Sequence, residues 1–226
     1  TSTQTLTVSA RPTLLSAITR DLNSNGSIDT LVLTFSENIN GGTSSPTTGA
    51  GFTLTAPYQI AFGNVVGAVL TFTLVESGLP DTDATPAITY DPTVGNLADL
   101  NDALETSFTG PLTPTDSAAP VVISTSFVDS DGDGRLNQAI FTFSEALAAG
   151  EEDIADWALI DANGTTNLLS GLTTANLSIS GTTLTIALAD TSGTAGSARY
   201  RYNPNLTGSD LRDAANNNVP VQTNNS

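Results

Sequence analysis

The 226-residue chain contains no cysteine, no histidine, no methionine and no lysine. Each absence removes a class of chemistry. Without cysteine there is no disulfide framework, so the redox compartment leaves no mark on the sequence. Without cysteine or histidine, zinc centres and most nucleophile–base pairs are out of reach. No glycine-rich phosphate loop is present either. A carboxylate pair of the glycosidase kind could be assembled from Glu151 and Glu152, but "GEEDIADWALI" (150–160) reads more simply as an acidic turn leading to Trp157. The expectation is a protein that is not an enzyme.

Charge is also scarce, and of one sign. Only 13% of residues are charged, six arginines face 23 acidic residues, and the net charge is −17. A surface this acidic repels phosphate backbones and anionic lipid, so nucleic acid is not an expected partner. Divalent cations are natural ones. No apolar run approaches the roughly 20 residues of a membrane span, so membrane insertion is not expected. The missing methionine includes an initiator, so Thr1 reads as a processed terminus or the edge of an excised fragment, with no signal peptide remaining. Threonine-rich, β-favouring composition points to a secreted or cell-surface location.

What is present is a repetition. "DLNSNGSIDTLVLTFSE" (21–37) returns as "DSDGDGRLNQAIFTFSE" (129–145), and Asp21, Gly26, Phe35 and Glu37 map to Asp129, Gly134, Phe143 and Glu145 at a constant offset of 108. A fixed offset of that size means domain duplication. Alternation and β-branched residues dominate the rest, and no helical period lasts ten residues. "TLVLTF" (30–35) and "QAIFTF" (138–143) read as strands, as do "GAVLTFTLV" (67–75) and "GTTLTIAL" (181–188). "AITYDP" (87–92) matches "RYRYNP" (199–204), and "LADLNDAL" (97–104) matches "SDLRDAAN" (209–216), a turn-forming piece before a last strand. Element order is kept while spacers drift in length, as expected when copies of a β-domain diverge through their loops.

The boundary falls in "TGPLTPTDSAAP" (109–120), a Pro/Thr/Ser stretch with little to bury. The division predicted is an N-terminal strand segment (1–10), a first domain (11–112), a linker (113–118) and a second domain (119–226). Short strands separated by turn signals every few residues argue for an all-β fold of two tandem β-sandwiches. Phe35, Phe143, Phe52 and Trp157 are the expected core aromatics.

"LTFSENI" and "FTFSEAL", the later aromatics of "GFTL" and "DWAL", and the closing "LRDAANNNVP" resemble the bacterial Ig-like domains of surface-layer proteins and adhesins. The resemblance covers nearly the whole chain as two copies. It implies tandem Ig-like sandwiches whose partners are neighbouring Ig-like domains or identical subunits, with cell-surface glycans as the partner of an adhesin. "LNDALETS" in the first copy departs from the Asn-rich closing turn.

The two acidic loops carry the site expectation. Loop 2 reads Asp129-x-Asp131-x-Asp133-Gly134-x-x-Asn137, and loop 1 reads Asp21-x-Asn23-x-Asn25-Gly26-x-x-Asp29. Oxygen side chains at places 1, 3, 5 and 9, a glycine at 6 and a backbone carbonyl at 7 (Ser27 or Arg135) match the first nine places of a calcium loop. Place 12 holds Val32 or Ile140 rather than glutamate, so this is the shorter, β-flanked form, similar to the Asp-x-Asp-x-Asp-Gly-x-x-Asp loops of integrin-like repeats. A metal-free turn rich in Asn, Asp and Gly would look the same one loop at a time; two at homologous places favour Ca2+. Glu37 and Glu145 cannot complete their own loops, because about seven strand residues at ~3.3 Å each place them at the opposite pole. Three readings follow: a calcium-stabilised structural module, a carbohydrate-binding adhesin, and a filament subunit that donates "TSTQTLTVSA" (1–10) as a strand.

Overall fold

A computed structural model of the chain describes residues 11–40, 47–95, 97–100, 111–161, 164–189, 198–204 and 209–224. The N-terminal strand segment 1–10 and half of the paired piece at 97–104, residues 101–104, lie outside the described residues. The described chain is all-β, with fourteen strands, two single-turn 3-10 helices and no α-helix. It divides into two compact units: residues 1–22, 28–77 and 84–116 form the first, and residues 23–27, 78–83 and 117–226 the second.

In the first unit, β1 (Leu14–Arg20), β2 (Thr30–Phe35), β4 (Gln59–Val66), β5 (Val69–Val75) and β7 (Thr115–Asp116) form a sheet in the order β4-β5-β2-β1-β7. All its neighbours are antiparallel except β7, which lies parallel to β1. Thus residues 115 and 116, inside the stretch read as linker, are strand. β3 (Phe52–Leu54) and β6 (Ile88–Tyr90) pair as a second, small sheet. Period-two alternation decides which side is core: Leu31, Leu33 and Phe35 of β2 and Leu70, Phe72 and Leu74 of β5 are all buried. The small sheet closes over them, with the Phe52 ring 5.0 Å from Phe72 and 4.7 Å from Tyr90. The unit is therefore sandwich-like.

In the second unit, β8 (Val122–Val128), β9 (Gln138–Phe143), β11 (Leu177–Ser180) and β12 (Thr183–Ala187) form the larger sheet, in the order β11-β12-β9-β8. β10 (Trp157–Asp161), β13 (Ala198–Tyr202) and β14 (Gln222–Thr223) form the smaller one. Phe141 joins them, its ring 4.4 Å from Trp157 and 5.0 Å from Tyr200. Segments 23–27 and 78–83 belong to this unit: Asp81 N–H donates to the Gly26 carbonyl at 2.8 Å, and the buried Thr82 and Ser144 hydroxyls share a 2.6 Å hydrogen bond.

The duplication extends to individual hydrogen bonds. Ser36 N donates to Thr13 O as Ser144 N does to Val121 O, and Leu74 N to Asp29 O as Leu188 N does to Asn137 O. β1 and β8 carry the same register shift two residues from their starts. Tyr90 and Tyr202 are buried, and each hydroxyl accepts from a later backbone N–H, that of Leu97 or Leu211, at 2.7 and 2.9 Å. Burial pushes the Tyr202 phenol well above its ordinary range. The expected core aromatics Phe35, Phe143, Phe52 and Trp157 are all buried.

Candidate metal centre

Each acidic loop starts where the first long strand of its unit, β1 or β8, runs out and must reverse into its antiparallel neighbour, β2 or β9. The reversal is tied at its base by the residue at place 9. Its N–H reaches back to the end of the first strand, Asp29 to Arg20 O and Asn137 to Val128 O. Its side-chain oxygen accepts from the backbone at place 2: Asp29 from Leu22 N at 3.2 Å, Asn137 from Ser130 N at 2.6 Å. Inside the loops the pattern also repeats. Place 3 accepts from the N–H of place 5 (Asn25 to Asn23, 3.0 Å; Asp133 to Asp131, 3.4 Å), and place 5 from that of place 7 (Ser27 to Asn25, 2.9 Å; Arg135 to Asp133, 2.8 Å).

These are successive Asx turns, which curl the backbone and turn its polar side chains inward. The curl requires left-handed backbone twice. Gly26 and Gly134 at place 6 have φ of 95° and 91°, as the spacing implied. Place 4 is left-handed as well, and there the copies differ: Gly132 in loop 2 at 77°, but Ser24 in loop 1 at 57°. Sequence reasoning missed that position, because a serine gives no sign of left-handed backbone.

In loop 2 the structure brings Asp129, Asp131 and Asp133 together, with a carboxylate oxygen of each within 4.8 Å of the others. Asp129 sits deepest, accepting from Gly132 N at 2.7 Å and Gly134 N at 2.8 Å. The Gly134 N–H above all, aided by that of Gly132, holds its carboxyl below the usual range. Asp133 also has the Arg135 guanidinium at 3.9 Å, an exposed pair. Three acid groups within this radius repel one another, and hard oxygen donors on a tight loop suit Ca2+ rather than a softer ion. The carbonyls of Arg135 and Ser27 are the further donors that the nine-residue spacing expects at place 7.

Loop 1 keeps the framework but not the charge. Asn23 and Asn25 stand where loop 2 has Asp131 and Asp133, leaving Asp21 and Asp29 as its carboxylates, and Asp29 is engaged by Leu22 N and by the Thr30 hydroxyl at 2.7 Å. Its backing differs too. Gly26, Ser27 and Ile28 are buried, and a Cβ on Gly26 would meet Ile123 Cγ2 at 3.0 Å and Ser144 Cβ at 3.3 Å. Nothing lies within 4 Å of the same position on Gly134.

A second acidic pair was not foreseen. Glu145 and Asp213, both buried in the second unit, bring carboxylate oxygens within 4.8 Å of one another. Asp213 is fastened by Asn217, whose N–H and Nδ2 donate to it at 2.8 and 2.7 Å, while Asn216 takes φ of 71° to make the turn. The bridges Ile39–Asp99 and Leu147–Asp213 match between the copies, a long-range placement that no local motif announces. Glu151 and Glu152 are occupied locally: the Arg212 guanidinium donates to Glu151 at 2.5 Å, and Gly150 N to Glu152 at 2.9 Å.

Comparison with family models, with curated proteins and with solved structures finds no match to this chain. No helix among the described residues is long and apolar enough to cross a membrane.

Proposed function

We propose that this chain is a calcium-stabilised structural module, not an enzyme: two tandem Ig-like β-sandwich domains of a prokaryotic cell-surface or extracellular protein, divided after Asp116. The observation that carries the reading is the convergence of Asp129, Asp131 and Asp133 on a loop whose hydrogen-bond framework is duplicated in residues 21–29. A divalent cation there offsets carboxylate repulsion and ties the end of β8 to the start of β9. The same step at loop 1 ties β1 to β2. An ion that binds only the ordered loop stabilises it by mass action, by about 2.7 kcal/mol at a hundredfold excess over its dissociation constant.

Isothermal titration calorimetry with Ca2+ tests this on the intact chain. Loop 2 carries three carboxylates against two in loop 1, and ligand charge is a main control on affinity in such loops. The expected result is tighter binding at loop 2, lost in Asp129→Asn/Asp131→Asn and retained in Asp21→Asn/Asp29→Asn. Absence of binding heat together with a melting temperature unmoved by Ca2+ or chelator would refute the metal reading.

A further inference from the structure

The chain's whole supply of fixed positive charge is six arginines against 23 acidic residues. Two of the six, Arg199 and Arg201, stand two residues apart on β13, so both side chains leave the same face of the three-stranded sheet, about 7 Å apart. Both are exposed, while Ala198, Tyr200 and Tyr202 between and beside them face the core. Their cross-strand neighbours carry no charge: Ile160 opposite Arg199, Ala158 opposite Arg201, and Thr223 on the far side of Arg201. Asp161, the acidic residue of the adjoining strand, is buried on the other side, and Asp156, in the 3-10 turn just before that strand, is buried as well. Neither guanidinium has an ion pair among the described residues, whereas Arg135 and Arg212 of the same unit lie against Asp133 and Glu151. Aligned on Tyr90 and Tyr202, the first unit has Ala87 and Thr89 at these places. The pair belongs to the second copy alone.

We propose that this face docks a carboxylate-bearing surface of a second copy of the chain. Two molecules of net charge −17 repel on nearly every approach. The face around Arg199 and Arg201 is a place where the sign of the force reverses. Each guanidinium fork takes a carboxylate bidentately, and Ala158 with Ile160 supplies an apolar floor between them. Such a contact is heterologous: basic face on one copy, acidic surface on the next. The second copy's own arginines stay open, so the contact propagates instead of closing on itself.

Sedimentation velocity of the intact chain over a concentration series tests this, run both with Ca2+ and with chelator so that it is independent of the metal reading. The expected result is concentration-dependent association at low salt that vanishes near 1 M salt, where the screening length falls to about 3 Å. Arg199→Ser/Arg201→Ser should weaken it by on the order of tenfold or more, with an unchanged melting temperature because both side chains point outward. Ala158→Glu, which places a carboxylate opposite Arg201 and keeps both arginines, should do the same. A chain that stays monomeric at low salt overturns the proposal, as does association indifferent to both variants. So does a monomer that binds polygalacturonate through these arginines, which would make the face a reader of acidic polysaccharide.

Discussion

The two units share a hydrogen-bond framework almost bond for bond and differ in what they present outward. On β4, β5 and β2 of the first unit the outward positions include Phe62, Val66, Val69, Val75 and Val32, with Phe62 56% and Val66 70% exposed. The matching face of the second unit, on β11, β12 and β9, reads Ser178, Ser180, Thr183, Thr185, Gln138 and Thr142, with Ile140 and Ala187 as its apolar residues. Charge is distributed the other way, since the second unit has the three-carboxylate loop and the Arg199–Arg201 pair. A duplicated domain keeps the residues that answer to its core, where a methylene is felt, and lets those that answer only to solvent or a partner drift. Function in this chain is therefore to be sought where the copies disagree.

The largest expected effect tests the half of this comparison that claims equivalence. Phe52 and Trp157 occupy the same place, each the first residue of a strand of the small sheet, paired with Tyr90 or Tyr202. Phe52→Ala and Trp157→Ala should each destabilise its own unit by about 3–5 kcal/mol in chemical denaturation. Trp157 is the only tryptophan, so its fluorescence reports the second unit alone. In Phe52→Ala the fluorescence midpoint should move less than the circular-dichroism midpoint. Coincident shifts would show the two units unfolding as one.

Next in size are the tyrosines. Tyr202→Phe leaves the buried Leu211 N–H without its acceptor, and Tyr90→Phe does the same to Leu97. An orphaned buried donor costs about 1–3 kcal/mol, and the two losses should agree if the units are true equivalents. Urea titration of both variants measures this directly.

How far the sequence disclosed all this follows the same division. β2, β5, β6 and their counterparts were legible because each is a run of alternating β-branched and aromatic residues, with its buried face written in every second position. β4 was not. "QIAFGNVV" is an edge strand with a bulge between Ile60 and Phe62, its outward Phe62 and Val66 are as apolar as its inward side, and the alternation is lost. β7 was hidden for another reason: two residues between prolines and serines carry no pattern. In the loops, spacing disclosed the glycine at place 6, but the left-handed Ser24 and the proximity of Glu145 to Asp213 depend on long-range placement that no local motif records.

A smaller effect lies where the copies differ inside the core. Thr19 is fully buried in β1, and its hydroxyl has no hydrogen-bond partner among the described residues; the equivalent residue of β8 is Phe127, packed against the second core. A buried hydroxyl without a partner is unfavourable by about 1–3 kcal/mol, and removing it with a residue of the same shape recovers part of that. Thr19→Val should accordingly stabilise the first unit by about 1 kcal/mol, read as a raised midpoint by circular dichroism with the Trp157 fluorescence midpoint unmoved.

The smallest expected effect is a pH dependence confined to the second unit's small sheet. Asp161 ends β10, and its Oδ1 accepts from Thr165 N at 2.9 Å and Thr166 N at 3.0 Å while its own N–H reaches back to Thr166 O. These bonds hold the following segment against β10, where Asn167 bridges Ile160 and Leu168 N donates to Leu159 O. The first unit links β3 to β4 through only four residues, 55–58, and has no such clamp. The Thr166 and Thr165 N–H groups favour the charged carboxylate and hold it below the ordinary range. A carboxyl lowered on folding adds stability that is fully present above its unfolded value and is lost as pH falls through the folded one. Acidification below the ordinary aspartate range should therefore weaken the clamp, and the protection of the Thr165 and Thr166 amides, measured against the unstructured exchange rate at the same pH, should fall while that of Leu33 in the first sheet does not change with them. Asp161→Asn keeps an acceptor oxygen but not the charge, so it should abolish the pH step in those two amides. If the step persists in that variant, the titrating group is another carboxyl and Asp161 is no more than a turn residue.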